Sequence, residues 1–396
     1  MNSILNNINE TRAQREEWYK DFHRNPELSS AEFRTIERIR TELKNMDIDA
    51  LADVTDTGVV AIIENGPGPV VALRGDIDAL PVTEQTGLDY ASEIDGVMHA
   101  CGHDIHITTL LSTVDAFASH RDAWSGTLVA VFQPAEETAS GARAMVEADI
   151  ASVIPKPDVY LGQHVMASKA GVISMPKDAV MSTMESIRVR VFGAGSHGSM
   201  PHLGVDPIVL AAHIITRLQT VVAREISPFE FGVVTVGAVN AGTKSNIIPE
   251  SAELLINTRA MSVETQLQIR TAIERIIRHE CEAAGSPQEP TFEYYDRAPL
   301  TFNDADARGV VAAAFTESFG DEYEVVPPST ASEDFSVIPD ALGVPYVFWF
   351  VGGFENPDTA PGNHSPFFAT AIQPTLDRSL EAFVVAASAW LASTTR

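Results

Sequence analysis

Apolar positions along this chain change rhythm several times, and each change predicts an element. From Thr11 to Leu43 they recur at helical spacing, interrupted at Asn25-Pro26, where the residue ahead of proline is pushed out of the helical region; two helices are predicted. Between Val59 and Leu73 two short runs, VVAII and VVALR, are divided by NGPGP, which reads as a hairpin or an adjacent strand pair. TLVAVF, DVYLGQ and VPYVFWF follow as further strands, and ITTLLSTVDAFASH from Ile105 as a helix covering the sheet. Near Met184 the order becomes SIRVRVFG, DPIVLAAHIITRLQTVVARE, FGVVTVGAV, ELLINTRA, VETQLQIRTAIERIIRHECEAAG and TFEYYD. That is β-α-β-β-α-β, the ferredoxin-like split pattern. An α/β domain formed by residues 1–183 and 297–396 is therefore expected, with a ferredoxin-like domain inserted over 184–296.

Length agrees with this division, since 396 residues exceed what one hydrophobic core usually supports and 45% hydrophobic content can fill two. The formal charge of −27 excludes nucleic acid and anionic membrane as partners, because phosphates would be repelled over most of the surface. No stretch approaches the roughly 18 to 20 apolar residues of a membrane span, and the polar N-terminus lacks an apolar signal core; a cytoplasmic location is expected. Two cysteines exclude a disulfide framework and leave Cys101 as metal ligand, nucleophile or buried filler. A reducing compartment suits a ligating thiolate, which oxidants would attack.

Candidate chemistry gathers at strand ends and the loops beyond them, where open α/β sheets bind ligands. TLVAVF runs into FQPAEE with Glu136 and Glu137, DVYLGQ into His164, and VPYVFWF lies a loop ahead of His364 in GNHSPF. Cys101 and His103 in MHACGHDIH are two residues apart, which in an extended segment puts both on one face, able to grip one cation. Taken alone, that pair reads first as a buried cysteine with a structural histidine, and the Glu pair first as a solvated acidic turn. Together Cys101, His103, Glu137, His164 and His364 supply enough ligands for two cations if one bridges. Adjacent carboxylates on a strand end point different ways, so Glu137 can ligate while Glu136 faces the reacting water.

These motifs resemble the aminoacylase and hippuricase branch of the two-metal exopeptidases related to glutamate carboxypeptidase. The likeness runs through FHRNPELS, RGDIDALPV, MHACGHDIH, FQPAEE, GQHV, GAGSHGSMPH, SNIIPE, NTRA and GNHSPFF, nearly the whole chain. DPIVLAAHIITRLQTVVAREI resembles the corresponding stretch of corynebacterial N-acyl-amino-acid aminoacylases, including the type acting on N-acyl-glutamine. The resemblance implies a mixed-sheet, zinc-exopeptidase-like catalytic domain and a ferredoxin-like lid that also mediates homodimerisation, with the site in the cleft between them. It implies Cys101, His103, Glu137, His164 and His364 as metal ligands, Cys101 bridging, and Glu136 as general base. His197 of GSHGS would donate to the oxyanion of the neighbouring subunit's site, and Asn246 and Arg259 would bind the substrate carboxylate. Ile105, Asn25 and Ser196 depart from the common pattern, which bears on the pocket's finer shape.

The activity implied is hydrolysis of N-acyl-L-amino acids by water activated at two divalent cations, zinc by the thiolate, manganese or cobalt by the other donors. Asp76 and Asp104 are candidates for orienting ligand imidazoles, or else turn and helix-cap aspartates. A dipeptidase or carboxypeptidase with the same centre is the alternative. A binding protein without catalysis is a third reading, against which Glu136 argues.

Overall fold

In a computed structural model, which describes residues 4–5 and 8–391, the chain divides into two compact units. The first is built from the described residues of Met1–Val180, Phe302–Pro328 and Asp334–Arg396, the second from Met181–Thr301 and Ser329–Glu333. The return segment Ser329–Glu333 lies outside the 184–296 range expected for the insertion, and no hydrophobic rhythm marks it. Among the described residues no helix is long and apolar enough to cross a membrane.

In the first unit α1 (Arg12–Arg24) and α2 (Phe33–Lys44) separate at Asn25-Pro26. They are followed by β1 (Ala50–Asp53), β2 (Val59–Asn65), β3 (Val70–Asp76), α3 (His103–Ser119), β4 (Gly126–Gln133), β5 (Val159–Lys169) and β6 (Ile173–Pro176). After the second unit come α4 (Ala305–Phe319), β7 (Tyr323–Val326), β8 (Tyr346–Phe354) and α5 (Ile372–Leu391). The strands form one mixed sheet in the order β1-β2-β4-β3-β5-β8-β6-β7. Its centre, β4-β3-β5-β8, is parallel. Every residue of β8 is buried, as expected of a strand covered on both faces.

One expectation is corrected here. VVAII and VVALR are neither a hairpin nor adjacent strands, because β4 lies between them, antiparallel to β2 and parallel to β3. The NGPGP link arches over the start of β4, where the Thr127 amide donates to the Pro69 carbonyl over 2.8 Å. A Cβ on Gly68 would stand 2.8 Å from the Gly126 Cα, so the inserted strand needs glycine at that crossing.

Helix α3 is buried almost all round, which is why its residues show little amphipathic contrast. Ile107, Leu110, Leu111, Val114 and Phe117 join Trp18 and Phe22 of α1 and Phe383, Val384 and Ala387 of α5 in one core. Each large apolar side chain removed from water there contributes about 1.5–3 kcal/mol. The helix is thereby fixed with its N-terminus at the carboxyl ends of β3 and β4.

The second unit carries a four-stranded antiparallel sheet in the spatial order Gly232–Ala241, Ser251–Ala260, Thr183–Phe192, Thr291–Ala298. Strand Ser251–Ala260 alternates buried and part-buried residues, so one face is packed and the other open. Helices Pro207–Thr220 and Val263–Ala283, capped by Asp206 and Ser262, bring Leu210, Ile214, Ile269, Ile273 and Ile277 against Val189, Val191, Leu254 and Ile256. This is the ferredoxin-like arrangement. A short pair outside that pattern, Ser196–His197 with Ile247–Ile248, is an addition that two-residue strands gave no periodicity to announce.

Candidate active site

Strand β3 delivers the first acidic groups. Asp76, its last residue, is buried and accepts from Arg74 Nη1 over 2.7 Å and from His106 Nδ1 over 2.5 Å. Arg74 is itself buried and also donates to Gln133 Oε1 (2.9 Å) and Asp334 Oδ1 (3.1 Å), which ties the ends of β3 and β4 together. Burial would push Asp76 up, but the Arg74 guanidinium and the two histidines hold it well below the usual carboxylate range.

Asp78 escaped the sequence reading although RGDIDALP displays it two residues beyond Asp76. Its Oδ1 lies 3.2 Å from His103 Nδ1, while Oδ2 accepts from Ser29 Oγ (2.7 Å) and from the Glu137 amide (3.0 Å). One buried carboxylate thus sets both the His103 ring and the turn that carries the glutamates. Asp104, by contrast, reaches none of the candidate ligands: its Oδ2 accepts from His23 Nδ1 over 2.6 Å. The expectation that Asp104 orients a ligand imidazole is corrected, since the first turn of α3 aims it toward α1.

Cys101 and His103 do not lie in an extended segment either. His103 is the first residue of α3, and Gly102 ahead of it is left-handed (φ 85°). The chain reverses there, and a Cβ on Gly102 would sit 2.3 Å from Val165 Cγ1. Cys101 Sγ is 3.5 Å from His164 Nε2. His164 lies inside β5 and not at its end, and its Nδ1 donates to the Val165 carbonyl over 2.7 Å, leaving the Nε2 lone pair for a cation. His106, in the same motif, has both nitrogens occupied, by Asp76 and by the Val165 amide at 2.9 Å. It is a support for the strand ends and not a ligand.

Past β4, Ala135 adopts φ 49° with its amide held by Glu32 Oε1 at 2.8 Å, turning Glu136 and Glu137 back over α3. Glu137 Oε2 is 3.3 Å from His364 Nε2 and its Oε1 3.8 Å from His103 Nε2; Glu136 Oε2 stands 4.0 Å from the same His103 nitrogen. His364, also at positive φ (69°), is tied down by its amide to the Ala100 carbonyl (2.7 Å), and Asn363 Nδ2 is 3.4 Å from the Cys101 sulfur.

Cys101, His103, Glu136, Glu137, His164 and His364 are therefore brought together within the first unit. Cys101 groups with Glu137 and His364, and His103 with Glu136 and Glu137, each set with its donor atoms within 4.8 Å of one another. His103 Nε2 and Glu137 Oε1 are buried without a hydrogen-bond partner, an arrangement costly unless a cation satisfies them. Two donors on one tetrahedral zinc stand about 3.3–3.6 Å apart, and the 3.3 Å and 3.5 Å separations at Glu137–His364 and Cys101–His164 match that spacing. Hydrogen bonds with Cys101 and Glu137 raise the His364 pKa to about 10. Burial opposes a charge on His103, yet Asp76 and Asp78 hold its pKa well above the histidine range. Surroundings that retain protons on these imidazoles also favour a cation between them.

A sequence profile of Peptidase family M20/M25/M40 matches residues 72–387. The chain belongs to this family. M20 relatives that it resembles include an N-acetylcysteine deacetylase of Bacillus subtilis, 34% identical over 85% of this chain and 88% of that one. An N-acyl-L-amino acid amidohydrolase of Geobacillus stearothermophilus is 35% identical over 74% and 79%, and thermostable carboxypeptidase 2 of Saccharolobus solfataricus 33% over 84% of each. Among solved structures, a dinuclear metal binding peptidase of the M20 family from Bacillus subtilis superposes with a TM-score of 0.80 at 29% identity, covering 96% of this chain and 98% of that one. A Staphylococcus aureus structure gives 0.88 at 32%, covering 97% and 98%. The M20 hydrolase fold, a mixed α/β catalytic unit with a lid, is that of this chain.

The remaining predicted residues lie in the second unit. His197 pairs with Ile247, and the Gly198 amide donates to the Asn246 carbonyl (2.8 Å), which sets His197 and Asn246 side by side. His197 Nδ1 receives the Ser199 amide at 3.1 Å and lies 2.8 Å from Ser199 Oγ. An amide can only donate, so the neutral ring carries its proton on Nε2, the tautomer able to donate outward. Arg259, on Ser251–Ala260, donates through Nη1 to Ser332 Oγ (2.9 Å) and the Thr330 carbonyl (3.2 Å).

Proposed function

We propose that this M20 hydrolase cleaves the amide bond of N-acyl-L-amino acids, releasing a carboxylic acid and a free amino acid. The observation that carries the reading is the Glu136–Glu137 turn, which places one carboxylate among the donors and leaves its buried neighbour 4.0 Å from His103 Nε2, at the edge of the same cluster. Cys101, His103, Glu137, His164 and His364 would hold two divalent cations, with Cys101, adjacent to His164 and His364, as the shared ligand. The thiol favours zinc over manganese or cobalt. When bound, the cations supply Lewis acidity toward water and the amide carbonyl.

Glu136 takes the proton of the attacking water and delivers one to the departing amine nitrogen. His197 Nε2–H stabilises the oxyanion, as the tautomer set by Ser199 permits. Arg259 and Asn246 bind the carboxylate of the amino-acid part, a guanidinium matching a carboxylate in bidentate geometry. Asp76 and Asp78 keep His103 and the glutamate turn in place. In the assembly we propose, two copies pair through the lid and His197 serves the neighbouring copy's site. The thiol ligand suits a reducing cytoplasm.

The test is release of free amino acid from a panel of N-acyl amino acids and dipeptides, with and without a chelator. Chelator-sensitive cleavage of the acyl amino acids is expected. Cleavage of dipeptides alone would replace this reading with the peptidase, and chelator-resistant turnover would remove the cations from it.

A further inference from the structure

Arg259 is a cation without an anion. It is part-buried on Ser251–Ala260, and no carboxylate among the described residues lies within ion-pair distance. Desolvation alone lowers its pKa, with no acidic neighbour to offset it. Several other arginines of this unit are matched, Arg188 to Glu293, Arg270 to Glu185 and Arg275 to Glu225, while Arg190 and Arg224, which have no carboxylate partner among the described residues, are exposed to water. The acceptors that Arg259 does have are neutral and converge on Nη1, namely Ser332 Oγ and the Thr330 carbonyl, while Nη2 faces only the Met184 sulfur at 3.5 Å.

The return segment that supplies them is itself pinned. Ser182, fully buried where the chain enters this unit, donates its amide to the Ala331 carbonyl (2.8 Å) and its hydroxyl to the Thr330 carbonyl (2.9 Å), and its Oγ is 3.2 Å from Ser332 Oγ. With both Nη1 hydrogens engaged, the edge of the fork left for a ligand is Nε with Nη2, the side-on pair that grips a carboxylate through two parallel bonds.

We infer that Ser332 is a positioning residue: its hydroxyl, clamped by Ser182, fixes the Arg259 guanidinium so that its Nε–Nη2 edge receives the α-carboxylate of the substrate. This rests on the reading of Arg259 as the carboxylate-binding residue. A neutral clamp serves the purpose where an acidic one would not, since a carboxylate at Nη1 would neutralise the charge the substrate needs.

The experiment compares N-acetyl-L-glutamine with N-acetyl-L-glutaminamide, which lacks the α-carboxylate, as substrates of the metal-loaded enzyme. In Ser332→Ala, KM for the acid should rise about tenfold, the scale of one hydrogen bond to a charged group, with kcat within about twofold. KM for the amide should not move. Ser332→Thr, which keeps Oγ, should restore KM for the acid, an outcome that loss of folding could not produce. An unchanged KM in Ser332→Ala alongside a large rise in Arg259→Ala overturns the positioning role and leaves the carboxylate reading standing. If Arg259→Ala itself leaves KM for the acid unchanged, the carboxylate reading falls and this inference with it.

Discussion

At the scale of residues, two neighbouring glutamates can be given different work because the turn that carries them is fixed at three points. Glu32 holds the Ala135 amide, Asp78 holds the Glu137 amide, and the Ala139 amide closes onto the Glu136 carbonyl at 2.6 Å. Glu137 is thereby directed to His364 and His103, and in the proposed reaction Glu136 handles the proton. Glu136→Gln should lower kcat by roughly 10² to 10⁴-fold, the range of a lost general base, while metal content by elemental analysis stays at the wild-type ratio. Turnover surviving the substitution would remove the base assignment, and a drop in bound metal would make Glu136 a ligand. The residues of the cluster were legible in the sequence because their chemistry is unusual for its setting: a cysteine in a chain nearly without them, and histidines following apolar runs. Asp78 and Arg74 were not, because an aspartate or arginine in an acidic, charged chain has no local mark; their importance lies in partners brought near only by the sheet. His106 shows the converse. It shares the motif of His103, and only the Val165 amide at its Nε2 reveals that it is already satisfied.

At the scale of elements, the site depends on how α3 begins. The helix starts one residue after a left-handed glycine, and the Cys101–His103 reversal exists because Gly102 can take φ 85° against Val165. Sequence alone suggested an extended grip, since a Cys-x-His spacing carries no information on the backbone between its members. The same limit explains the NGPGP link, whose turn residues announce a reversal but not the strand inserted inside it. The β-α-β-β-α-β order was readable because each of its elements is long and one-sided in burial. Gly102→Ala should therefore be worse than strain alone. Gly87, at φ 73° with open space around it, offers the comparison: Gly87→Ala should cost about 1–2 kcal/mol for the left-handed alanine. Gly102→Ala adds a contact at 2.3 Å to Val165, so it should lose more stability in chemical denaturation and also bind less metal. Equal losses in the two variants, with metal binding intact in both, would show that the reversal is not what shapes the centre.

At the scale of the whole molecule, the two units have separate large hydrophobic cores built from different residues, beside a smaller cluster around Tyr19, Met98, Ile105 and Phe368 in the first unit. One joins α1, α2, α3 and α5 to the mixed sheet, and the other packs Pro207–Thr220 and Val263–Ala283 on the antiparallel sheet. Every proposed ligand lies in the first unit, at positions 101 to 164 and 364, whereas Arg259 and His197 lie in the second. Binding to a folded state stabilises only the structure that must be folded for binding, by about 2.7 kcal/mol when free metal is 100 times its dissociation constant. Chelation should then lower the midpoint of one calorimetric transition by about 5–10 °C, given about 2–4 °C per kcal/mol for units of this size. The second transition should stay where it was. Core substitutions assign the transitions: Phe117→Ala should depress the metal-sensitive one and Ile273→Ala the other, because each side chain is fully buried in its own core. A single transition that moves as a whole on chelation would mean that the units unfold as one, and metal-sensitive unfolding reported by Ile273→Ala would place the cations' stabilising effect outside the unit that supplies their ligands.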